Sequence, residues 1–255
     1  MKPILREGLV DAHAHLNEIE QIDQVLADAR RVGVTRVVAV GMDRDSNETT
    51  LALASRFPGQ VWPAVGYHPW SLRPDTVEDT LAHIRANLSR CVALGEVGLD
   101  YKAKVKKNFQ KEVFERLLVL AVEHDKPAII HCRFSHQRAH SMVRSAGVRQ
   151  AVFHWYSGPA QVLEMLLADG YHISVTPALA YSEPHRAAAE LAPLTRILVE
   201  TDTPVSYQGR VSRPADLLQT IAWLSRIKQM PEEEVAAVTA RNARLFYAIP
   251  SIPPA

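Results

Sequence analysis

Short apolar runs rich in Val, Ile and Leu recur along the chain, separated by longer amphipathic stretches. The runs show no polar alternation, which is typical of strands buried on both faces. Such strands belong to a parallel sheet covered by helices. The predicted strands are 8–12, 36–40, 61–66, 91–95, 127–132, 151–155, 171–176 and 196–200.

The stretches between these runs carry apolar residues at helical spacing, which indicates core-facing helices. One stripe consists of Ile19, Ile22, Val25, Leu26, Ala29 and Val32, and another of Phe109, Val113, Phe114, Leu117, Leu118 and Ala121. Asn17 is predicted to cap the first helix, with Glu20 at the capping-box spacing and Gly33 after its last turn.

Eight strands alternating with helices over 255 residues favour an α/β fold, a single (β/α)8 TIM barrel spanning 1–255. Residues 250–255 are expected to form an extended tail. An open doubly wound sheet is the alternative, because it produces the same local pattern. The first strand is not followed by a glycine-rich dinucleotide fingerprint, which weakens that alternative.

Composition narrows the class of protein but not its activity. The net charge of +1 gives no overall attraction to nucleic acid or membrane, so an anionic partner would need a local basic patch. Cys91 and Cys132 lack metal-finger spacing and are interpreted as structural thiols. With neither a secretory signal nor a run long enough to span a bilayer, we expect a cytoplasmic, monomeric protein without membrane partners.

The most informative motif is His13-Ala14-His15, which closes the first predicted strand. Side chains two residues apart on a strand point to the same side, so both imidazoles face one space. Active sites of barrel enzymes form at the carboxyl ends of the strands. Polar residues follow several other predicted strands at that end: Tyr67-His68, Glu96, His131, His154 and Glu200-Thr201-Asp202.

Imidazole and carboxylate groups together suit Zn, Mn, Fe or Mg. Four histidines and two carboxylates exceed what one four-coordinate ion needs, which favours two ions, with Glu96 as a candidate bridge. Any one of the histidines could be a hydrogen-bonded structural residue, but six such groups at one barrel end favour metal binding. The other histidines are interpreted as packing or surface residues: His83, His124, His136, His140, His172 and His185.

Taken in order, the motifs resemble the TatD family of metal-dependent hydrolases, within the amidohydrolase-like barrels. They are DAHAH (11–15), VGYHP (65–69), GEVGLDY (95–101), IHCR (130–133), HWYSG (154–158), ETDTP (200–204) and NA (242–243). The resemblance implies two divalent cations, Mg, Mn or Zn. One would be bound by His13, His15, Glu96 and Asp202, and the other by Glu96, His131 and His154.

The resemblance further implies that Asp202 acts as general base and that His68 and Arg133 contact substrate phosphates. It implies a deoxyribonuclease acting on DNA from the 3′ end, or a hydrolase that removes D-amino acids from tRNA. A basic cluster, Lys102, Lys104, Lys106 and Lys107, follows the fourth strand and could hold a phosphate backbone or be an ordinary solvated charge run.

Three functions stay open at this point. The favoured one is a two-metal phosphodiesterase cleaving DNA, with Trp155 and Tyr156 either stacking on a base or packing at the rim. The second is hydrolysis of an acyl ester or amide, including D-aminoacyl-tRNA deacylation. The third is a metal-loaded but inactive subunit of a larger assembly, which retention of Asp202 and every expected ligand argues against.

Overall fold

The computed structural model describes residues 8–251 and contains the predicted barrel. Its strands are β1 (Leu9–Ala14), β2 (Val34–Val40), β3 (Val61–Tyr67), β4 (Ala93–Asp100), β5 (Ala128–Arg133), β6 (Ala151–Phe153), β7 (His172–Val175) and β8 (Ile197–Val199). They pair in chain order, and every pairing is parallel. A separate short hairpin follows, formed by β9 (Ser206–Tyr207) and β10 (Arg210–Val211).

Helices cover the outside of the sheet, one or more after each strand. They are α1 (Ile22–Arg31), α2 (Arg44–Arg56), α3 (Val77–Asn87), α4 (Lys107–Glu123), α5 (His136–Ser145), α6 (Ala160–Ala168), α7 (Glu183–Leu191), α8 (Leu217–Lys228) and α9 (Glu232–Phe246). Among the described residues, no helix combines the length and apolar character needed to cross a membrane.

The segment after β8 closes the barrel against β1. Asp202 donates its backbone N–H to the carbonyl of His13 at 3.0 Å, and His15 donates to the carbonyl of Thr203 at 2.7 Å. The carboxylate of Asp11 accepts hydrogen bonds from both the backbone N–H and the hydroxyl of Thr201, at 2.9 and 2.5 Å. These bonds hold the two chain segments that carry metal-ligand chemistry side by side.

Two apolar clusters explain why the strands lack alternation. The larger lies between the sheet and the helices, and the smaller fills the barrel interior with residues such as Val10, Val40 and Ile129. Phe246 and Tyr247, at the end of α9, belong to the inner cluster. The Tyr247 hydroxyl donates to the carbonyl of Ala12 at 2.9 Å, so the segment at the end of α9 is bonded to β1 within the core.

Several predicted boundaries were wrong. β4 starts and ends later than the predicted 91–95, so Glu96 lies within the strand instead of following it. Strands β6 and β8 are each two residues shorter than predicted. The predicted cap at Asn17 is absent, since Leu16–Glu18 forms a 3-10 turn and α1 begins only at Ile22. Gly33 does follow α1, with φ +92°.

Most of the predicted tail 250–255 lies outside the described residues, and the domain extent 1–255 stays a prediction.

Candidate metal centre

The mouth of the barrel begins with the two histidines of β1. Their Nε2 atoms lie 3.2 Å apart, and the rings meet edge to face. His13 is fully buried and His15 nearly so. The Nδ1 atom of His15 lies 3.1 Å from the carbonyl oxygen of Val40, which can only accept, so Nδ1 carries the proton. Nε2 is therefore the nitrogen that faces the centre of the cluster, where a metal ion could replace its proton.

Glu96 and Asp202 complete a four-atom set around the two imidazoles. His13 Nε2 lies 3.4 Å from both Glu96 Oε2 and Asp202 Oδ1. His15 Nε2 lies 3.4 and 3.5 Å from the same two oxygens. Four ligand atoms placed tetrahedrally about 2.1 Å from a divalent ion would be separated by about 3.4 Å. The distances between the two imidazole nitrogens and from them to these oxygens thus fit ligands of one small divalent cation.

The other oxygen of Glu96 faces a second set of histidines. Glu96 Oε1 lies 2.7 Å from His154 Nε2, 2.8 Å from His131 Nδ1 and 3.4 Å from His68 Nε2. The nitrogen atoms of His131 and His154 are themselves 3.3 Å apart. One carboxylate therefore stands between two groups of candidate ligands. Three compact sets in this cluster could each hold an ion: His13, His15 and Asp202; His13, Glu96 and His154; and His68, Glu96 and His131.

Carboxylates behind the histidines set the direction in which their lone pairs point. His131 Nε2 lies 3.2 Å from Asp100 Oδ2, and His154 Nδ1 lies 3.4 Å from Glu200 Oε1. A carboxylate placed beside one imidazole nitrogen leaves the opposite nitrogen directed at the cluster, where it can bind a metal ion. This arrangement is typical of histidines in metal sites and unusual for histidines that merely fill a core.

Two residues of the site, Asp100 and Trp70, were not predicted from the sequence. The Trp70 indole Nε1 donates to Asp100 Oδ2 at 2.6 Å, the same oxygen that faces His131. Burial would raise the pKa of Asp100, but the hydrogen bonds from His131 and Trp70 hold it well below its usual range. The period of two along β4 was a usable signal, because Glu96 and Asp100 fall on the same side of the strand. The role of Trp70 gave no sequence signal.

The charges of the centre are balanced internally. Burial would raise the pKa of Glu96, but the surrounding imidazoles, with His154 foremost, hold it well below the ordinary value. Burial likewise opposes a charge on His15, yet Glu96 and Asp202 raise its pKa to about 9. The buried Oδ1 of Asp202 has no hydrogen-bond donor among the described residues. A buried carboxylate oxygen without a hydrogen-bond donor is a candidate metal ligand.

Asp202 reaches the cluster because of an uncommon backbone conformation. Its φ is +49°, in the left-handed region that costs energy for a residue with a side chain. The backbone bond to His13 and the adjoining Asp11–Thr201 bonds hold this conformation in place. Close packing of β4 against β5 requires a glycine at position 98, since a Cβ there would lie 2.0 Å from the carbonyl oxygen of His131.

The cluster forms the floor of an open cavity of about 570 Å³. Arg133 lies exposed at its rim, as expected for a substrate contact. His68 lies deeper than expected, only 2% exposed, and burial lowers its pKa to about 4. The backbone N–H of Trp70 donates to His68 Nδ1 at 3.2 Å, which places the proton of the neutral ring on Nε2. His68 therefore presents a donor toward the cluster.

The two aromatic residues after β6 have different surroundings. Trp155 is half-buried and lines the cavity, so stacking on a base stays a prediction for it. Tyr156 is fully buried, and its hydroxyl donates to the carbonyl of Pro159 at 2.8 Å. Rim packing is thus the correct interpretation of Tyr156.

The basic cluster of four lysines is exposed, and none of the four lines the cavity or forms an ion pair with a described carboxylate. The remaining histidines lie outside the metal cluster. His140 pairs with Asp169 at 2.7 Å, and His185 is buried between backbone groups. His172 begins β7 and packs its ring on Phe246.

Comparison with known proteins agrees with this geometry. The family model described as TatD related DNase matches residues 10–248. The uncharacterized metal-dependent hydrolase YabD of Bacillus subtilis is 29% identical over 256 residues, covering 94% of this chain and 99% of YabD. The 3′-5′ ssDNA/RNA exonuclease TatD of Erwinia tasmaniensis is 30% identical over 250 residues, covering 88% of this chain and 93% of that protein.

A solved structure shares the fold over almost its whole length. The crystal structure of YJJV, a TatD homologue from Escherichia coli K12, superimposes with a TM-score of 0.87 at 26% identity, covering 95% of this chain and 98% of the other. Family match, relatives and fold agree with the metal-ligand cluster at the barrel mouth. The chain belongs to the TatD-related DNase family and is a metal-dependent hydrolytic enzyme.

Proposed function

We propose that this enzyme is a two-metal phosphodiesterase that removes nucleotides from the 3′ end of DNA. The proposal rests on the way the two carboxylate oxygens of Glu96 face different histidines. Oε2 faces His13 and His15, whereas Oε1 faces His131 and His154. A bridging carboxylate between two ligand sets is the arrangement used for in-line displacement at phosphorus. The exonuclease named among the relatives supports the direction of cleavage.

The residues present fit a pair of divalent cations such as Mn, Zn or Mg. His13, His15, Glu96 and Asp202 would hold one, and Glu96, His131 and His154 the other, with His68 at its edge. When bound, the cations would supply Lewis-acid stabilisation of the phosphoryl oxygens and make water acidic enough to attack at neutral pH.

Asp202 is the residue we assign as general base. Its carboxylate lies on the floor of the cavity, 5% exposed, with Oδ1 unpartnered among the described residues. In the proposed step, the oxygen of water bonds to phosphorus and its proton passes to Asp202. The bond between phosphorus and the 3′ oxygen breaks, and that oxygen takes up a proton from solvent. The products are a nucleoside 5′-monophosphate and a shortened strand.

Arg133 and His68 would hold the phosphate in different ways. The Arg133 guanidinium is a permanent cation at the rim and can bind two phosphoryl oxygens at once. His68 is neutral at physiological pH and offers Nε2–H as a single hydrogen-bond donor. We therefore assign charge neutralisation to Arg133 and orientation to His68.

The test is release of nucleotides from 3′-labelled single-stranded DNA by the purified protein with Mg, Mn or Zn. Asp202→Asn should abolish release, whereas Asp75→Asn, an exposed carboxylate paired with Arg73, serves as the matched control and should be as active as wild type. A 5′-labelled strand run in parallel reports the direction of cleavage.

D-aminoacyl-tRNA and a simple acyl ester are assayed beside DNA. Cleavage of only these substrates would replace the nuclease proposal with the acyl-hydrolase alternative. Turnover of none of them by protein with measured metal occupancy would favour the inactive-subunit alternative.

A further inference from the structure

A second groove of about 1220 Å³ lies beside the metal cavity, formed by the segments after β5 and β6 and the first turns of α5 and α6. Cys132, Arg133 and Ser157 line both spaces, so the groove and the cavity meet at Arg133. A chain bound at the metal centre can extend across this rim without leaving the protein surface. Apart from Arg133 at the shared rim, the chemistry assigned above does not use the residues of the groove.

The groove has the charge expected of a site for polyanions. Arg133 and Arg138 are both exposed, and neither lies within ion-pair distance of a carboxylate in residues 8–251. None of the residues that line the groove is Asp or Glu. Exposed guanidinium groups in proteins commonly pair with nearby carboxylates, so two unpaired ones along one groove leave a strip of positive potential. That strip exists although the whole chain carries a net charge of only +1.

An aromatic ring stands in the same groove. Phe134 is 66% exposed and adopts a φ of +55°, a conformation that points it away from the barrel core. The Lys102 ammonium lies 5.3 Å from the centre of its ring, and the Lys107 ammonium lies 4.6 Å from that of Tyr101, a further groove residue. Two members of the basic cluster thus border the groove through these rings.

We propose that this groove binds the single-stranded nucleic acid on the 5′ side of the scissile phosphate, an inference that rests on the proposed nuclease function. The phosphates lie against Arg133 and Arg138, and a base stacks on Phe134. Proteins that bind single-stranded nucleic acid without sequence preference combine cationic groups for the phosphates with aromatic rings on which the bases stack. Beside its apolar residues, the groove also offers uncharged hydrogen-bonding side chains, Gln137, Ser141 and Gln161.

The binding test uses fluorescein-labelled decathymidylate with phosphorothioate linkages that resist cleavage, followed by fluorescence anisotropy with the metal-loaded protein. Phe134→Ala should weaken binding by about tenfold, because stacking of one base is lost. Arg138→Gln should lower the slope of log Kd against log salt by about 0.7, the value for one phosphate contact on a single strand. The control is Arg241→Gln, an exposed arginine on α9 outside both spaces, which should behave as wild type.

Wild-type affinity and salt slope in both groove variants would overturn the groove assignment, as would failure of the wild-type protein to bind the decamer. Melting temperatures equal to wild type establish that the variants are folded. A change confined to Arg138→Gln would leave a phosphate contact but refute stacking on Phe134.

Hydrolysis separates this inference from the proposed function. The decamer with natural linkages spans both spaces, whereas the p-nitrophenyl ester of thymidine 5′-monophosphate fits the metal cavity alone. The ratio of kcat/KM for the decamer to that for the ester should fall about tenfold in Phe134→Ala. An equal decrease in kcat/KM for the decamer and for the ester would refute the assignment of the groove as a binding site. If the wild-type protein cleaves neither phosphodiester, the nuclease proposal fails, and the anisotropy results still decide whether the groove binds nucleic acid.

Discussion

The Nε2 atoms of His13 and His15 approach each other to 3.2 Å inside a buried cluster. Two nitrogen lone pairs at that distance repel unless a cation lies near both. Burial opposes a charge on His15, but Glu96 and Asp202 raise its pKa to about 9, so we expect a proton to fill this role in the protein without metal. A divalent ion would replace that proton.

Metal binding should therefore release protons at neutral pH. Because the pKa of His15 is raised, its imidazole is protonated below about pH 9, and the apparent metal affinity should fall as the pH decreases. Isothermal titration calorimetry at pH 7.5 in HEPES and in Tris should give different heats of binding. The difference should correspond to about one proton released from His15 by the ion that this ring binds. The same heat in both buffers would contradict the protonated state of His15.

Substitution of Glu96 and substitution of Asp202 should affect metal content and turnover to different extents. Glu96→Gln removes the charge shared by both ligand sets, so metal content measured by mass spectrometry should drop together with activity. Asp202→Asn keeps an oxygen near His13 and His15, so the loss of kcat should exceed the loss of metal, by about a hundredfold or more, the usual range for a general base. Equal loss of metal in the two variants would remove the distinction between bridge and base.

The bond from Trp70 to Asp100 should affect metal affinity through His131. Asp100→Asn should weaken binding of the ion proposed at His131 by about 10- to 100-fold, the range found for partners of metal-binding histidines. Trp70→Phe removes only the indole donor, so its effect should have the same direction and a smaller size.

The matched control for that pair is Trp62→Phe. The Trp62 indole donates to the carbonyl of Gly59 at 3.3 Å, and the residue does not line the metal cavity. Competition with a metal-sensitive dye measures affinity without reference to turnover. Equal affinities for Trp70→Phe and Trp62→Phe would show that the indole does not position Asp100.

His185 should make stability depend on pH at mildly acid values. It is fully buried, and its Nε2 accepts a hydrogen bond from the Thr176 backbone at 3.0 Å, while Nδ1 donates to the Tyr156 carbonyl at 2.7 Å. Burial lowers its pKa from 6.5 to about 4, so the unfolded chain binds the proton first as pH falls.

The contribution of His185 to the free energy of unfolding is therefore complete above pH 6.5 and declines toward pH 4, by up to about 3 kcal/mol. Urea denaturation at a series of pH values should show this decline in the wild-type protein and a shallower one in His185→Gln. Parallel curves for the two proteins would exclude His185 as its source.

The order of the strands and the chemistry available at their ends could be predicted from the amino-acid sequence. Buried strands of a parallel sheet are apolar on both faces, and this property is local enough to read from Val10 or Val38 and their neighbours. The period of two also placed His13 and His15 on one side correctly. Strand ends were less certain, because Glu96 and Asp100 are polar residues that the sequence alone assigns to a loop, and their hydrogen bonds keep them in β4.

Which side-chain atoms come into contact depends on the three-dimensional fold. Closing the barrel brings Asp11 against Thr201, 190 positions away, and that contact sets where Asp202 points. It also gives each oxygen of Glu96 its own set of histidines and exposes Phe134 beside the rim. Periodicity records how a side chain is oriented on its own strand. The distances between strands depend on register, backbone conformation and packing across the whole barrel, which no local pattern contains.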